Sequence, residues 1–267
     1  MHWKRWISGL ILAPILIVFI LYAPFWLFLS FILLLILIGL GEYCALLRPE
    51  ISRQEKRMSL VLGGLFVFFL HAQESRWIGA GLMLIFFFLS IRALVQKKHF
   101  ALRLEEAGKH FLGFLYIPFL LSHFIWMLPM TNGRAWVLFT LVMVYFGDTT
   151  AFYVGRAWGR NKMAPHLSPG KTIEGGLGAV GGSAAGALFF HFLFLPQLSL
   201  SHAFVLGSLG GLIGQLGDLW ESLLKRSAQV KDSGTLIPGH GGLLDRIDSV
   251  LFAGPLVYYY VWLAGLA

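Results

Sequence analysis

Long apolar stretches dominate this sequence. Runs at 6–22, 24–40, 58–73, 77–95, 111–130, 135–154, 173–196, 203–224 and 249–266 hold few charges. A bilayer's hydrocarbon core takes about 20 apolar residues in a helix, so each run approaches transmembrane length. The chain is predicted to be an all-α polytopic membrane protein of about nine spans, the first two parted by little more than Pro24. Composition agrees: 57% of residues are hydrophobic and 13% charged, where soluble domains run at about 25% charged. So few ionic groups cannot dress a soluble surface, and intrinsic disorder is excluded with it. Cys44 is the single cysteine, so neither an internal disulfide nor a Cys-based zinc site is available.

Charge placement predicts the orientation. If the N-terminus is cytoplasmic, nine spans put all but Arg76 and Arg134 of the 21 Lys and Arg on the cytoplasmic side, as the positive-inside rule requires. The formal charge of +8 is then topogenic bias and attraction to anionic head groups, not a nucleic-acid footprint. The apolar run after Lys4 and Arg5 is longer than a signal-peptide core and lacks a small-residue cleavage site, so it reads as a retained span.

The two halves differ in chemistry. Residues 1–130 read as a scaffold of transmembrane helices whose acids lie in or beside loops, where water solvates them. Residues 131–267 read as the catalytic region, with cytoplasmic-face loops at 155–172 and 225–248. There Asp148, Asp218 and Glu221 interrupt apolar spans and Glu174 sits just inside another. Ionisable groups at membrane depth face a polar interior or a water-filled cavity. Glycine is concentrated at 175–186 and 207–217, which suits close helix packing through small residues.

In DLWESLLKR (218–226), Asp218, Glu221, Ser222 and Lys225 share one helix face. A Glu221–Lys225 ion pair accounts for two of them. Asp218, a turn deeper, needs a metal or a cation from elsewhere. In KDSGTLIPGHGGLLDRIDS (231–249), Pro238, Gly239, Gly241 and Gly242 preclude a continuous helix. Asp245 and Asp248 follow three residues apart, and with Asp218 they form a candidate oxygen-rich cluster for a hard cation such as Mg²⁺. Lys231, His240 and Arg246 surround it in sequence. In the stretch 155–176, Ser168, Lys171 and Thr172 lead into a helix start, where free N–H groups favour a phosphate. Its GKT is not a P-loop, because Pro165 stands where that motif needs glycine.

The run from Ser222 to Asp248, SLLKR-x4-KDSGTLIPGHGGLLDRID, resembles the signature of the phosphatidate cytidylyltransferases, or CDP-diacylglycerol synthases. Gly147-Asp148, SPGKTIEGG (168–176) and GDLWES (217–222) are similar to further motifs of that family. The resemblance implies transfer of a cytidylyl group from CTP to phosphatidate, giving CDP-diacylglycerol and pyrophosphate. It also implies a divalent cation, normally Mg²⁺, with a second cation open, and a homodimer in the lipid bilayer. On that reading Asp218, Asp245 and Asp248 are the expected metal ligands, with Asp148 a fourth. Lys171, Lys231 and Arg246 hold phosphates, with Ser168, Ser222 and His240 as hydrogen-bond partners; Thr172, Lys225 and Arg226 complete the substrate-binding set. A compact chain of this kind suits a bacterial cytoplasmic membrane.

Two alternatives stay open at this point. A CTP-dependent lipid kinase would use the same nucleotide but transfer its γ-phosphoryl group. A cation transporter would also place acids in spans, although it has no use for the basic chemistry of 231–248.

Overall fold

The computed structural model describes residues 13–47, 52–71, 75–236 and 241–267. Its helices are α1 (Ala13–Tyr22), α2 (Phe25–Leu47), α3 (Arg53–His71), α4 (Ser75–Val95), α5 (Phe100–Phe114), α6 (Leu120–Met127), α7 (Gly133–Trp158), α8 (Ile173–Phe194), α9 (Leu200–Ser227) and α10 (Leu244–Leu263). A π-helical turn, Leu115–Phe119, joins α5 to α6. The all-α expectation needs one addition, a short antiparallel hairpin of β1 (Lys162–Ala164) and β2 (Ser168–Thr172) in the 155–172 loop.

Among the described residues, six helical segments are long and apolar enough to cross a membrane: Phe25–Leu46, Trp77–Val95, Phe100–Met127, Gly133–Trp158, Ile173–Phe194 and Leu200–Ser227. The other three expected spans correspond to the short α1, to α3 with its charged first turns, and to α10. Large apolar side chains are exposed all along α4, including Phe86 and Phe87, as a lipid-facing helix requires.

Several acids of the first half are not solvated as expected. Glu55 and Glu106 are buried, and Lys98 pairs with both, at 3.5 and 2.9 Å, while Arg92 meets Glu55 at 2.9 Å. Buried carboxylates are tolerated there because Arg92 of α4 and Lys98 of the loop after it compensate them.

Small residues set the geometry of α7, α8 and α9. A Cβ on Gly182 would fall 2.6 Å from Thr150 Cβ, and one on Gly207 would fall 2.6 Å from Ala187 Cβ. The glycine runs are therefore packing surfaces, as expected from the sequence. At the end where α7 and α9 finish and α8 and α10 begin, the chain forms its polar loops. α9 runs on to Ser227, placing Lys225 and Arg226 in its last turn, where the helix dipole favours cations.

Candidate active site

Gly217 brings the acids together. A Cβ there would lie 2.4 Å from the carbonyl oxygen of Asp248, so the α10 backbone rests directly on α9. This contact sets Asp248 beside Asp218 and Glu221, and ligand oxygens of the three carboxylates lie within 4.8 Å of one another. Glu221 is fully buried; one of its oxygens meets Lys225 at 2.5 Å and the other, Oε1, has no hydrogen-bond partner. Three carboxylates at this separation repel one another unless positive charge compensates them. The hard oxygen donors and the unpartnered Glu221 oxygen suit a divalent cation.

Asp245 does not join this set. Lys225 meets it at 2.6 Å, and it accepts hydrogen bonds from Ser233 N (2.8 Å), Ser233 Oγ (2.9 Å) and Gly242 N (2.9 Å). Burial alone would push its carboxyl up, but Lys225 and the Gly242 and Ser233 amides outweigh it and hold the carboxyl below the usual aspartate range. The three-residue spacing to Asp248 gave the two acids a common face, yet Lys225 sits between Glu221 and Asp245 and holds the latter away. Here Asp245 fastens the loop, and Glu221 takes the place among the clustered acids that the sequence had given it.

The cation that Asp218 needed comes from β2: Lys171 Nζ lies 2.6 Å from its carboxylate. Both line a cavity of about 460 Å³, together with Asp148 of α7, Arg156, Thr172, Gly175, Gly176, Gln215 and the exposed Phe152. Gln215 is locked by donating to the carbonyls of Gly176 (2.9 Å) and Gly211 (3.2 Å). The expected phosphate cradle at the start of α8 is partly occupied. Thr172 is the N-cap, its hydroxyl accepting from Gly175 N at 3.1 Å, and Ile173 N donates to Asn161 O at 2.9 Å. Glu174 accepts from the backbone N–H groups of Arg160 and Asn161, which folds the hairpin against the helix start.

Of the other predicted residues, Ser168 opens β2 and Ser222 is buried one turn from Asp218 on α9. Arg226 donates to Leu167 O at 3.1 Å, tying the end of α9 to the hairpin and joining the two loops. Lys231 and Arg246 are exposed at the same end of the bundle. His240 lies outside the described residues.

The sequence reading missed Glu42. From α2 it accepts hydrogen bonds from Leu243 N (2.8 Å), Leu244 N (2.9 Å) and Ser233 Oγ (3.2 Å). A side chain about 200 residues away in sequence thus supplies the N-terminal cap that α10 lacks locally. The one local signal was a carboxylate still inside an apolar helix, LIGLGEYC.

The profile of the Cytidylyltransferase family matches residues 3–264. An Escherichia coli (strain K12) protein called uncharacterized protein YnbB is 34% identical over 255 residues, covering 91% of this chain and 81% of its own. A phosphatidate cytidylyltransferase of Synechocystis sp. is 45% identical over 131 residues, covering 49% of this chain and 44% of the relative. One from Bacillus subtilis is 35% identical over 156 residues, 58% of each chain. The chain belongs to the cytidylyltransferase family. It is a nucleotidyltransferase with membrane-spanning helices.

Proposed function

We propose that the protein transfers a cytidylyl group from CTP to phosphatidate, forming CDP-diacylglycerol and pyrophosphate. The observation that carries this reading is the double placement of Asp218, which is clustered with Glu221 and Asp248 on one side and, on the other, paired with Lys171 at the wall of a cavity between apolar helices. An acidic centre answered by a lysine suits a reaction between two polyanions. Names of the Synechocystis and Bacillus subtilis relatives support the same substrates.

In the reaction, a phosphate oxygen of phosphatidate attacks the α-phosphorus of CTP. A new P–O bond forms, the bond to the bridging oxygen of the β-phosphate breaks, and pyrophosphate leaves. The attacking phosphomonoester has a second pKa of about 6, so it is largely ionised near neutral pH and needs no strong base. What the protein must supply is placement and charge stabilisation. Lys171 exchanges Asp218 for a phosphate oxygen; Lys231 and Arg246 hold phosphates at the exposed rim, with Ser168, Ser222, Thr172 and His240 as hydrogen-bond partners. Lys225 and Arg226 act from beneath, keeping Glu221, Asp245 and the hairpin in place. A divalent cation, Mg²⁺ on this reading, would be held by Asp218, Asp248 and Glu221, with Asp148 facing the same cavity, and would neutralise charge developing on the phosphates.

The nine-span topology with a cytoplasmic N-terminus belongs to the same proposal. So do the division into a 1–130 scaffold and a 131–267 catalytic region, a homodimeric state, and residence in a bacterial cytoplasmic membrane. CTP would reach the polar loops from the cytoplasm and phosphatidate would arrive from the leaflet.

The test is incubation of detergent-purified protein with labelled CTP, phosphatidate and Mg²⁺, with the products separated by thin-layer chromatography. Labelled CDP-lipid with pyrophosphate is the expected result. Free CDP and a phosphorylated lipid would instead identify a CTP-dependent lipid kinase.

A further inference from the structure

Tyr116 belongs to the half of the chain that reads as scaffold, yet it borders the acidic centre. It lies in the π-helical turn Leu115–Phe119, whose Pro118 lacks an N–H for the regular α-helical ladder. Single π turns within α-helices recur at functional sites. The Tyr116 ring packs edge-on to Trp220 (centroids 6.5 Å apart) and to Phe252 (6.3 Å). Trp220 precedes Glu221, and Phe252 lies one turn after Asp248. Asp248, Glu221 and Asp218 all act electrostatically on the phenol. The residue is 3% exposed and its hydroxyl has no hydrogen-bond partner; Glu221 Oε1 is likewise unpartnered. A buried donor and a buried acceptor, each left unpaired, are unusual, because burial without a partner is costly.

We propose that Tyr116 is a positioning residue of this centre, its hydroxyl donating a hydrogen bond into the Asp218–Glu221–Asp248 set when a divalent cation is bound there. The inference rests on the cation site proposed above. The chemistry suits a tyrosine: its ring packs against Trp220 and Phe252, while its hydroxyl adds a donor without adding charge. Groups that orient metal ligands in this way typically govern affinity by 10–100-fold.

Tyr116→Phe deletes the hydroxyl and keeps the ring. Mn²⁺ binding to the detergent-purified full-length chain, followed by electron paramagnetic resonance, is expected to weaken roughly 10-fold. The Mg²⁺ concentration giving half-maximal pyrophosphate release should rise by a similar factor. In chelator-treated protein the variant should melt no lower than the parent, since it loses only an unpartnered group. Parental Mn²⁺ affinity and Mg²⁺ requirement in the variant would overturn the proposal, whether or not its melting temperature changed. Asp248→Asn separates this failure from failure of the cation site. If the parent binds no Mn²⁺, or Asp248→Asn binds it as tightly as the parent, the cation site itself is wrong and the role of Tyr116 goes with it.

Discussion

Lys171 Nζ and the Asp218 carboxylate meet at 2.6 Å, linking the β-hairpin to the middle of the last long apolar helix before the signature loop. Both side chains are partly exposed, at 23% and 36%, and pairs of this kind contribute little to stability, about 0–1 kcal/mol. The pair makes better sense as a cation held ready at the cavity. Lys171→Met should therefore lower turnover about 100-fold or more, as loss of a preorganised charge does, and barely move the melting temperature. Steady-state pyrophosphate release and thermal unfolding in detergent check the two halves of this statement. A large loss of stability with near-normal turnover would make the pair structural.

Asp218→Asn and Asp245→Asn should behave differently. Both are expected to abolish Mg²⁺-dependent pyrophosphate release. Only Asp245→Asn should also destabilise the protein, because Asp245 anchors Lys225, Ser233 and Gly242, whereas Asp218 has its ion pair at the cavity wall. Near-normal turnover in both variants would remove the acidic centre from the mechanism.

Glu42→Ala should loosen the signature loop from a distance. It removes the acceptors for Leu243 N, Leu244 N and Ser233 Oγ. Hydrogen bonds to a charged group are worth about 1.5–3 kcal/mol each, so an overall loss of roughly 2 kcal/mol or more is expected. Limited proteolysis within 231–243 should accelerate, and turnover should fall along with it.

The small-residue interface admits a paired test. On Gly182 an added Cβ meets Thr150 Cβ at 2.6 Å, while on Gly181 it meets nothing within 4 Å. Gly182→Val should prevent α7 and α8 from closing and abolish a cooperative melt, whereas Gly181→Ala should be neutral or slightly stabilising through helix propensity. Circular dichroism melts and size-exclusion profiles of the two variants provide the comparison. Equal behaviour would mean that the two helices pack otherwise.

Much of the site was legible because its parts are local. The apolar runs located the helices, and the helical stripe Asp218–Glu221–Ser222–Lys225 put the chemistry on one face of α9. Glycine and proline precluded a continuous helix through 231–243, as the described residues 231–236 and 241–243 show, and the 168–172 stretch did lead into a helix with Thr172 as its cap. Less legible was which acids meet. Asp245 and Asp248 share a helix face, so spacing alone could not separate them. The separation follows from where Lys225 points, and that depends on how α9 crosses α10 at Gly217. Glu55 and Glu106 read as solvated loop acids because the cations that bury with them lie elsewhere in the chain. The hairpin was missed because its strands are three and five residues long, too short to show an alternating pattern.

By itself, then, the sequence determined the solvent this protein folds in, the helical class that solvent enforces, and the residue types available for phosphate chemistry. Those follow from hydropathy and helical period, which depend only on neighbours along the chain. Only the tertiary structure decided the partners: Lys171 on Asp218, Glu221 rather than Asp245 beside Asp248, Glu42 capping α10, and Tyr116 at the edge of the acids. These pairings join residues tens to hundreds of positions apart. Their electrostatics depend on separations of a few ångströms, which are set by the close packing of helices at glycine.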